Sequence, residues 1–136
     1  MIIVSSCLAG LNCRYDCQSR PDKMIQDLVT SGQAIPVCPE QMGGLSTPRP
    51  PAEIQDDGKI LTNQKVDVTK AFNLGALEAL KVTQQVNAQK AYLKQKSPMC
   101  GAGEIYDGSF TGKVVEGDGV FTQLLKKHNI KVHPVP

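Results

Sequence analysis

VCPEQMGG, residues 37–44, is the stretch from which the architecture of the chain can be inferred. It follows a short apolar run and contains a thiol at Cys38, a carboxylate at Glu40 and a glycine pair. That order predicts a buried strand over residues 34–37 that ends in a glycine-rich turn. Because open α/β sheets keep their ligand sites beyond the carboxyl ends of their strands, Cys38 and Glu40 are predicted to lie at such a site.

Two further cysteines follow apolar runs in the same way. Cys7 comes after the largely β-branched run of residues 2–6, and Cys100 lies a few residues beyond the run of residues 91–93. Each thiol stands among turn-forming residues, just past its run instead of inside it. If the three strands are neighbours in a parallel sheet, these two sulfurs and that of Cys38 share one crevice.

Helices and strands are predicted to alternate along the chain. Pro21 and Asp22 open a first helix that stops at Gly32, and residues 54–62 form a hairpin. The longest helix has Thr69 as its N-cap, with an apolar face formed by Ala71, Leu74, Leu77, Ala79, Leu80 and Val82. The pattern predicts a single-domain α/β fold over residues 1–136. Its mainly parallel sheet carries helices on both faces, a Rossmann-like arrangement with the site at the carboxyl ends of the strands.

The composition argues against several classes of function. The formal net charge is +2 and no basic cluster is present, so binding to nucleic acid is not expected. No apolar run is long enough for a membrane helix, and the N-terminus lacks the features of a signal peptide. The chain is therefore expected in the cytoplasm. There its five cysteines are more often metal ligands, catalytic thiols or inert core residues than disulfides.

The residues alone leave the role of the cysteines open. Buried cysteine often fills a core without further function. Three converging thiolates would select an iron–sulfur cluster, zinc or copper(I), and an iron without a fourth thiolate is a Lewis acid. Cys13 and Cys17 have no second pair or histidine at matching spacing, so they are interpreted as small loop residues and not as a zinc site. A thiol-only active site would need a base, and His128 and His133 both lie far from every cysteine in the sequence.

Long, ordered motifs along nearly the whole chain carry a family resemblance. The matching segments are IIVSSCLAG from Ile2, CRYD from Cys13, PVCPE from Pro36 with GGL from Gly43, TPRPPAEI from Thr47, KSPMCG from Lys96 and IYDGSF from Ile105. Over about residues 1–133 the chain resembles the bacterial domain-of-unknown-function family 523. The characterised members of that family are thiouracil desulfidases.

The resemblance implies a 4Fe–4S cluster whose three cysteine ligands are Cys7, Cys38 and Cys100. The remaining iron is implied to take the sulfur of a thiocarbonyl substrate such as 2- or 4-thiouracil, as base or nucleoside, while water supplies the oxygen in a non-redox reaction. Glu40 and Ser97 are the implied acid–base residues. Residue chemistry alone also allows Glu40 to be a surface or turn-capping carboxylate and Ser97 to bond its own turn.

Two residues of the proline-rich loop, Arg49 and Glu53, are expected to fix that loop by pairing or to contact a substrate edge, with the structural role favoured. The sequence departs from the family pattern at Cys17 (usually glycine), Met99 (often serine) and Ala102 (usually small and polar). Met99 is expected to make the pocket more apolar. Two other functions stay open: an iron–sulfur protein that binds or senses sulfide without turnover, and a zinc- or thiol-based protein.

Overall fold

The structure is a computed structural model, and it describes residues 1 to 136. The strands are β1 (Ile2–Ser5), β2 (Ala34–Val37), β3 (Ala52–Ile54), β4 (Ile60–Thr62), β5 (Lys90–Lys94), β6 (Glu104–Tyr106), β7 (Val114–Glu116) and β8 (Lys131–Val135). The helices are α1 (Lys23–Thr30), α2 (Pro39–Met42), α3 (Thr69–Gln85) and α4 (Val120–Lys127). A 3₁₀ turn, Ser6–Ala9, follows β1 directly.

Four of the strands form one parallel sheet in the order β2-β1-β5-β8. Ile2 of β1 lies opposite Ala34 of β2 on one side and Lys90 of β5 on the other. Lys90 in turn lies opposite Lys131 of β8. Because all four strands run in the same direction, their carboxyl ends lie along one edge of the sheet, as the sequence predicted.

Neighbouring residues of β1 contribute to two separate apolar cores, because side chains alternate between the faces of a sheet. Ile3 belongs to a core with Phe72 of α3 and Phe121 of α4. Val4 belongs to a second core with Ile25 of α1. Helices therefore cover both faces, and the predicted α/β fold with a mainly parallel sheet is confirmed.

Helix α3 differs from the sequence prediction in two details. Thr69 is the first helical residue and not the cap, and its hydroxyl accepts a hydrogen bond from the Ile60 amide at 2.9 Å. Leu74 and Leu77, expected on the buried face, are 48% and 49% exposed. The buried stripe instead consists of Phe72, Gly75, Ala76, Ala79, Leu80 and Thr83. Mostly small residues form this stripe because neighbouring helices approach α3 closely there.

Helix α2 was not predicted, since four residues leave no periodic pattern in a sequence. Pro39 occupies its first turn, where the missing amide has no helical partner to lose. Two glycines allow α2 to pack closely on α3. A Cβ added to Gly43 would overlap the carbonyl of Ala71, and one added to Gly75 would overlap that of Pro39. This contact fixes the segment after β2 against the longest helix.

Two antiparallel hairpins, β3–β4 and β6–β7, lie outside the parallel sheet. The first is the hairpin predicted over residues 54–62. Just after strand β3, the side-chain amide of Gln55 donates to the carbonyl of Gly108 in the turn of the second hairpin at 3.2 Å. None of the helices combines the length and the apolar character needed to cross a bilayer.

Candidate active site

One large cavity, of about 600 Å³, lies at the carboxyl end of the sheet. Its walls come from the segments that follow β1, β2 and β5 and from both hairpins. Cys7, Cys38 and Cys100 all line it, so the structure brings together the three thiols that the sequence singled out. This space is called the thiol cavity below.

Two of these thiols are carried by the first turns after neighbouring strands. Cys7 lies in the 3₁₀ turn after β1 and is almost fully buried. Cys38 follows β2 in an extended conformation (φ −124°, ψ 92°) and directly precedes α2. Because Ser5 and Val37 are opposite each other at the ends of the two strands, the two cysteines emerge side by side.

The third thiol, Cys100, reaches the cavity on a loop that is held from two sides. The hydroxyl oxygen of Ser97 accepts hydrogen bonds from the amides of Met99 at 3.0 Å and Cys100 at 2.9 Å. Thr122 of α4 donates its hydroxyl to the Cys100 carbonyl at 2.9 Å. A Cβ at Gly119 would overlap the backbone of Met99, so only glycine lets the start of α4 approach this loop.

A fourth thiol, Cys13, lines the same cavity and is 5% exposed. Its carbonyl accepts a hydrogen bond from the Cys38 sulfur at 3.8 Å, and its side chain lies against the thiols of Cys7 and Cys38. That contact lowers the pKa of Cys7 and lowers the pKa of Cys38 to about 7, while it raises the pKa of Cys13 itself. From the sequence, Cys13 was expected to be a small loop residue. The loop folds back over the 3₁₀ turn, where the Leu11 amide donates to the Ser6 carbonyl at 3.1 Å, and no spacing rule anticipates that.

Positive charge and burial also shift the pKa values of ionisable groups in the cavity. Arg14 adds to the lowering of the Cys7 pKa. Burial, and then repulsion from Arg14, lowers the pKa of Lys94. Burial raises the pKa of Cys100 well above its usual range. Cys7 and Cys38 therefore ionise most readily, whereas Cys100 needs a compensating cation.

Glu40 lines the thiol cavity and forms an ion pair with Arg49. Both contacts, Nε at 3.1 Å and Nη2 at 2.8 Å, fall on Oε2 of Glu40, which leaves Oε1 available to a bound molecule. The same guanidinium donates to the Cys13 carbonyl at 3.0 Å and to the Thr47 hydroxyl at 2.9 Å. The sequence left the partner of Arg49 open, and the structure assigns it Glu40 and the loop of Cys13.

Ser97 also lines the thiol cavity. Its oxygen accepts two amides of its own turn, which is the turn-bonding alternative that the sequence allowed. A hydroxyl that accepts in this way keeps its own proton as a donor. Ser97 thus positions the Cys100 loop and still offers an O–H group to the cavity, while its acid–base role stays a prediction.

The sequence profile of the 2-thiouracil desulfurases matches residues 2–134. The chain belongs to the 2-thiouracil desulfurase family. Among curated proteins it is 42% identical over 141 residues to the uncharacterized protein YbbK of Bacillus subtilis, across 97% of this chain and 93% of that protein. Among solved structures it is similar to TudS, a 4Fe–4S-dependent thiouracil desulfidase, with 44% identity, a TM-score of 0.92, and 98% of this chain and 89% of that chain covered. The protein is thus an enzyme of the desulfidase type, as predicted.

For a member of this desulfurase family, the donor set of the thiol cavity fits an iron–sulfur cluster. Cysteine thiolates are the ligands of such clusters, and Cys7, Cys38 and Cys100 approach the cavity from three different segments. As arranged, no three His, Cys, Asp or Glu side chains converge tightly enough to hold a single metal ion. The buried and ion-paired surroundings of the thiols are of the kind that tunes a cluster.

Two departures from the family pattern have structural explanations. Met99 is fully buried in the core with α3 and α4 and does not line the thiol cavity, so the expectation that it makes the pocket more apolar is wrong. Cys17 is exposed and has a positive φ of 63°. That conformation favours glycine, which agrees with the glycine expected at this position from the family resemblance. Nothing in the structure gives Ala102 a role.

Proposed function

We propose that this chain is a 4Fe–4S-dependent desulfidase that converts a thiocarbonyl pyrimidine, such as 2- or 4-thiouracil, to its oxo form and sulfide. The name of the family and that of the related TudS support this reaction. The observation that carries the proposal is the convergence of Cys7, Cys38, Cys100 and Glu40 on one cavity.

The three cysteines are proposed as the only protein ligands of the cluster. When bound there, such a cluster supplies an iron without a protein ligand, which acts as a Lewis acid toward the sulfur of the substrate. The overall reaction needs no electron donor or acceptor. Water provides the oxygen for the carbon that carried the sulfur, and its two hydrogens leave with that sulfur as hydrogen sulfide. Carbon and sulfur both keep their oxidation states.

Glu40 is proposed as the general base for the attacking water. Its Oε2 is held by Arg49 at 2.8 Å, so the carboxylate has a fixed orientation and Oε1 is the atom that accepts the proton. Ser97 is proposed to donate its hydroxyl to the substrate or to the water. Proton transfer by a positioned group of this kind contributes about 10²–10⁴-fold to a rate.

The proposed substrate is a small thiolated pyrimidine, either the free base or the nucleoside. A cavity of about 600 Å³ is within the usual range of small-molecule sites, roughly 300–1,000 Å³. It is shared between the proposed cluster and the substrate.

The test is anaerobic reconstitution with iron and sulfide, followed by incubation with 2- and 4-thiouracil. We expect iron and sulfide to be bound and both uracil and free sulfide to be formed. Cys38→Ala is expected to lose cluster and turnover together, whereas Glu40→Gln is expected to keep the cluster and lose turnover. A fully loaded protein that binds sulfide but forms no uracil from any thiopyrimidine would refute the enzymatic proposal in favour of a sensing role.

A further inference from the structure

The β6–β7 hairpin forms part of the wall of the thiol cavity. Two aromatic residues of this hairpin, Tyr106 and Phe110, line the cavity. Phe110 belongs to neither apolar core and is 36% exposed. Phe110 therefore borders the cavity without being part of the packed interior.

The backbone at this turn is strained. Phe110 has a φ of 58°, between Gly108 at 96° and Gly112 at 82°. A positive φ is a genuine outlier for a bulky residue and persists only where the surroundings enforce it. Both glycines allow the turn to be tight, but they do not explain why phenylalanine stands between them.

A buried carboxylate holds the turn in this conformation. Glu53 of β3 is 8% exposed, and its Oε1 accepts hydrogen bonds from the amides of Gly108 at 3.0 Å and Phe110 at 3.2 Å. On the other side of the turn, Gln55 donates to the Gly108 carbonyl at 3.2 Å. The sequence analysis expected Glu53 to pair within the proline-rich loop or to contact the substrate. In the structure it fixes the second hairpin and also lines the thiol cavity, so contact with the substrate stays a prediction.

We infer that Phe110 is a substrate-stacking residue, and that Glu53 is the positioning residue that presents it. This inference rests on the proposed function, since it needs a flat heterocycle in the thiol cavity. Aromatic rings stack on pyrimidine bases of any substitution pattern because every base has a π-face. Replacing the ring's thiocarbonyl group by a carbonyl group changes that face little. The subsite therefore recognises the ring and leaves the choice of the reacting atom to the thiol end of the cavity.

The first test compares Phe110→Leu with Phe110→Tyr, each reconstituted to the same iron content as the wild type. Leucine removes the ring, and we expect KM for thiouracil to rise roughly five- to 150-fold, the range for loss of one base–aromatic stack, while kcat changes little. Tyrosine keeps the ring and is expected to stay within about twofold of the wild type. An unchanged KM in Phe110→Leu overturns the inference.

The second test separates the positioning role of Glu53 from a purely structural one. Glu53→Gln keeps an oxygen acceptor for the two amides, so KM is expected to stay near that of the wild type, whereas Glu53→Ala is expected to raise KM as Phe110→Leu does. Hydrogen exchange at Gly108 and Phe110 should accelerate in Glu53→Ala only. In the double variant Glu53→Ala/Phe110→Leu, KM should rise no further than in Phe110→Leu. A further rise overturns the positioning role.

Titration calorimetry with uracil tests the stacking subsite separately from the proposed desulfidase reaction. Uracil carries no sulfur, so its binding to the reconstituted protein does not depend on turnover. If the wild type binds uracil and Phe110→Leu binds it at least fivefold more weakly, the stacking subsite stands even where thiouracil is not converted. If both proteins bind uracil equally, the subsite is refuted even where conversion is observed.

Discussion

Removal of the Arg49 guanidinium is expected to leave Glu40 in place but to free its carboxylate from the orientation needed for its proposed role as general base. The Arg49 side chain is 6% exposed, and its guanidinium makes five hydrogen bonds, to Glu40 Oε2 (twice), Cys13, Ser46 and Thr47, at 2.8 to 3.2 Å. Arg49→Met removes all of them and leaves a carboxylate that is only 19% exposed. Breaking a buried ion pair in this way costs about 3–5 kcal/mol. Because Glu40 retains some contact with water, we expect the lower end, about 3 kcal/mol.

Loss of this pair is also expected to reduce turnover. A general base displaced by about 1 Å can lose roughly 100-fold in rate, and nothing else in the structure holds the Glu40 carboxylate. Urea unfolding of the reduced, metal-free protein measures the stability change, and single-turnover conversion of thiouracil at equal iron content measures the rate. Arg49→Lys keeps the charge but not the fork of donors. Compared with Arg49→Met, it is expected to restore more of the lost free energy of unfolding than of the lost single-turnover rate.

The double variant Arg49→Met/Glu40→Gln decides whether Arg49 acts through Glu40. With both charges removed, the stability loss should be smaller than in Arg49→Met alone. The single-turnover rate should equal that of Glu40→Gln, because residues that act as a unit are not additive. If Arg49→Met retains turnover within twofold of the wild type, or if the double variant is slower than Glu40→Gln, the argument from the ion pair is wrong.

Three further changes test other contacts of the site. Gly75→Ala gains about 1 kcal/mol of helix propensity but adds a Cβ that overlaps the Pro39 carbonyl. We expect the free energy of unfolding to fall by about 1–2 kcal/mol, measured by urea unfolding, and cluster binding to weaken, measured as iron content. The control is Leu77→Ala at an exposed position of the same helix. Equal stability of the two variants would contradict the close contact at Gly75. Because the pKa of Cys38 is lowered to about 7, its alkylation in metal-free protein should be half-maximal near pH 7 and decline below it. In Cys13→Ala that midpoint should move upward toward the ordinary thiol pKa of 9.0, and an unmoved midpoint would exclude contact with the Cys13 side chain as the cause of the lowered pKa. Ser97→Ala should lower iron content because the Cys100 loop loses its two amide contacts, whereas Ser97→Thr should retain it; equal iron content in both would contradict this role.

The sequence by itself determined the parallel sheet and the thiols at its edge. An apolar run before Cys38 and another before Cys7 are local signals, and chain connectivity then requires the two strands to run in the same direction. Cysteines placed just after those strands must emerge at their carboxyl ends. The position of the first helix between Asp22 and Gly32 follows from local capping chemistry in the same way, and the structure has α1 at Lys23–Thr30.

Only the tertiary structure decided which side chains meet in the thiol cavity. Arg49 contacts the Cys13 carbonyl 36 positions away, and Glu53 contacts the Gly108 amide 55 positions away. The first contact joins two loops and the second joins strand β3 to a hairpin turn, and neither a loop nor a turn has a periodicity from which a distant partner can be predicted. The burial of Leu77 was mispredicted because the face of α3 is set by glycine contacts with α2, which no pattern within α3 records. The physical reason is that a local pattern encodes which face of an element is apolar, whereas the pairing of polar groups depends on where separate loops meet once the core has packed.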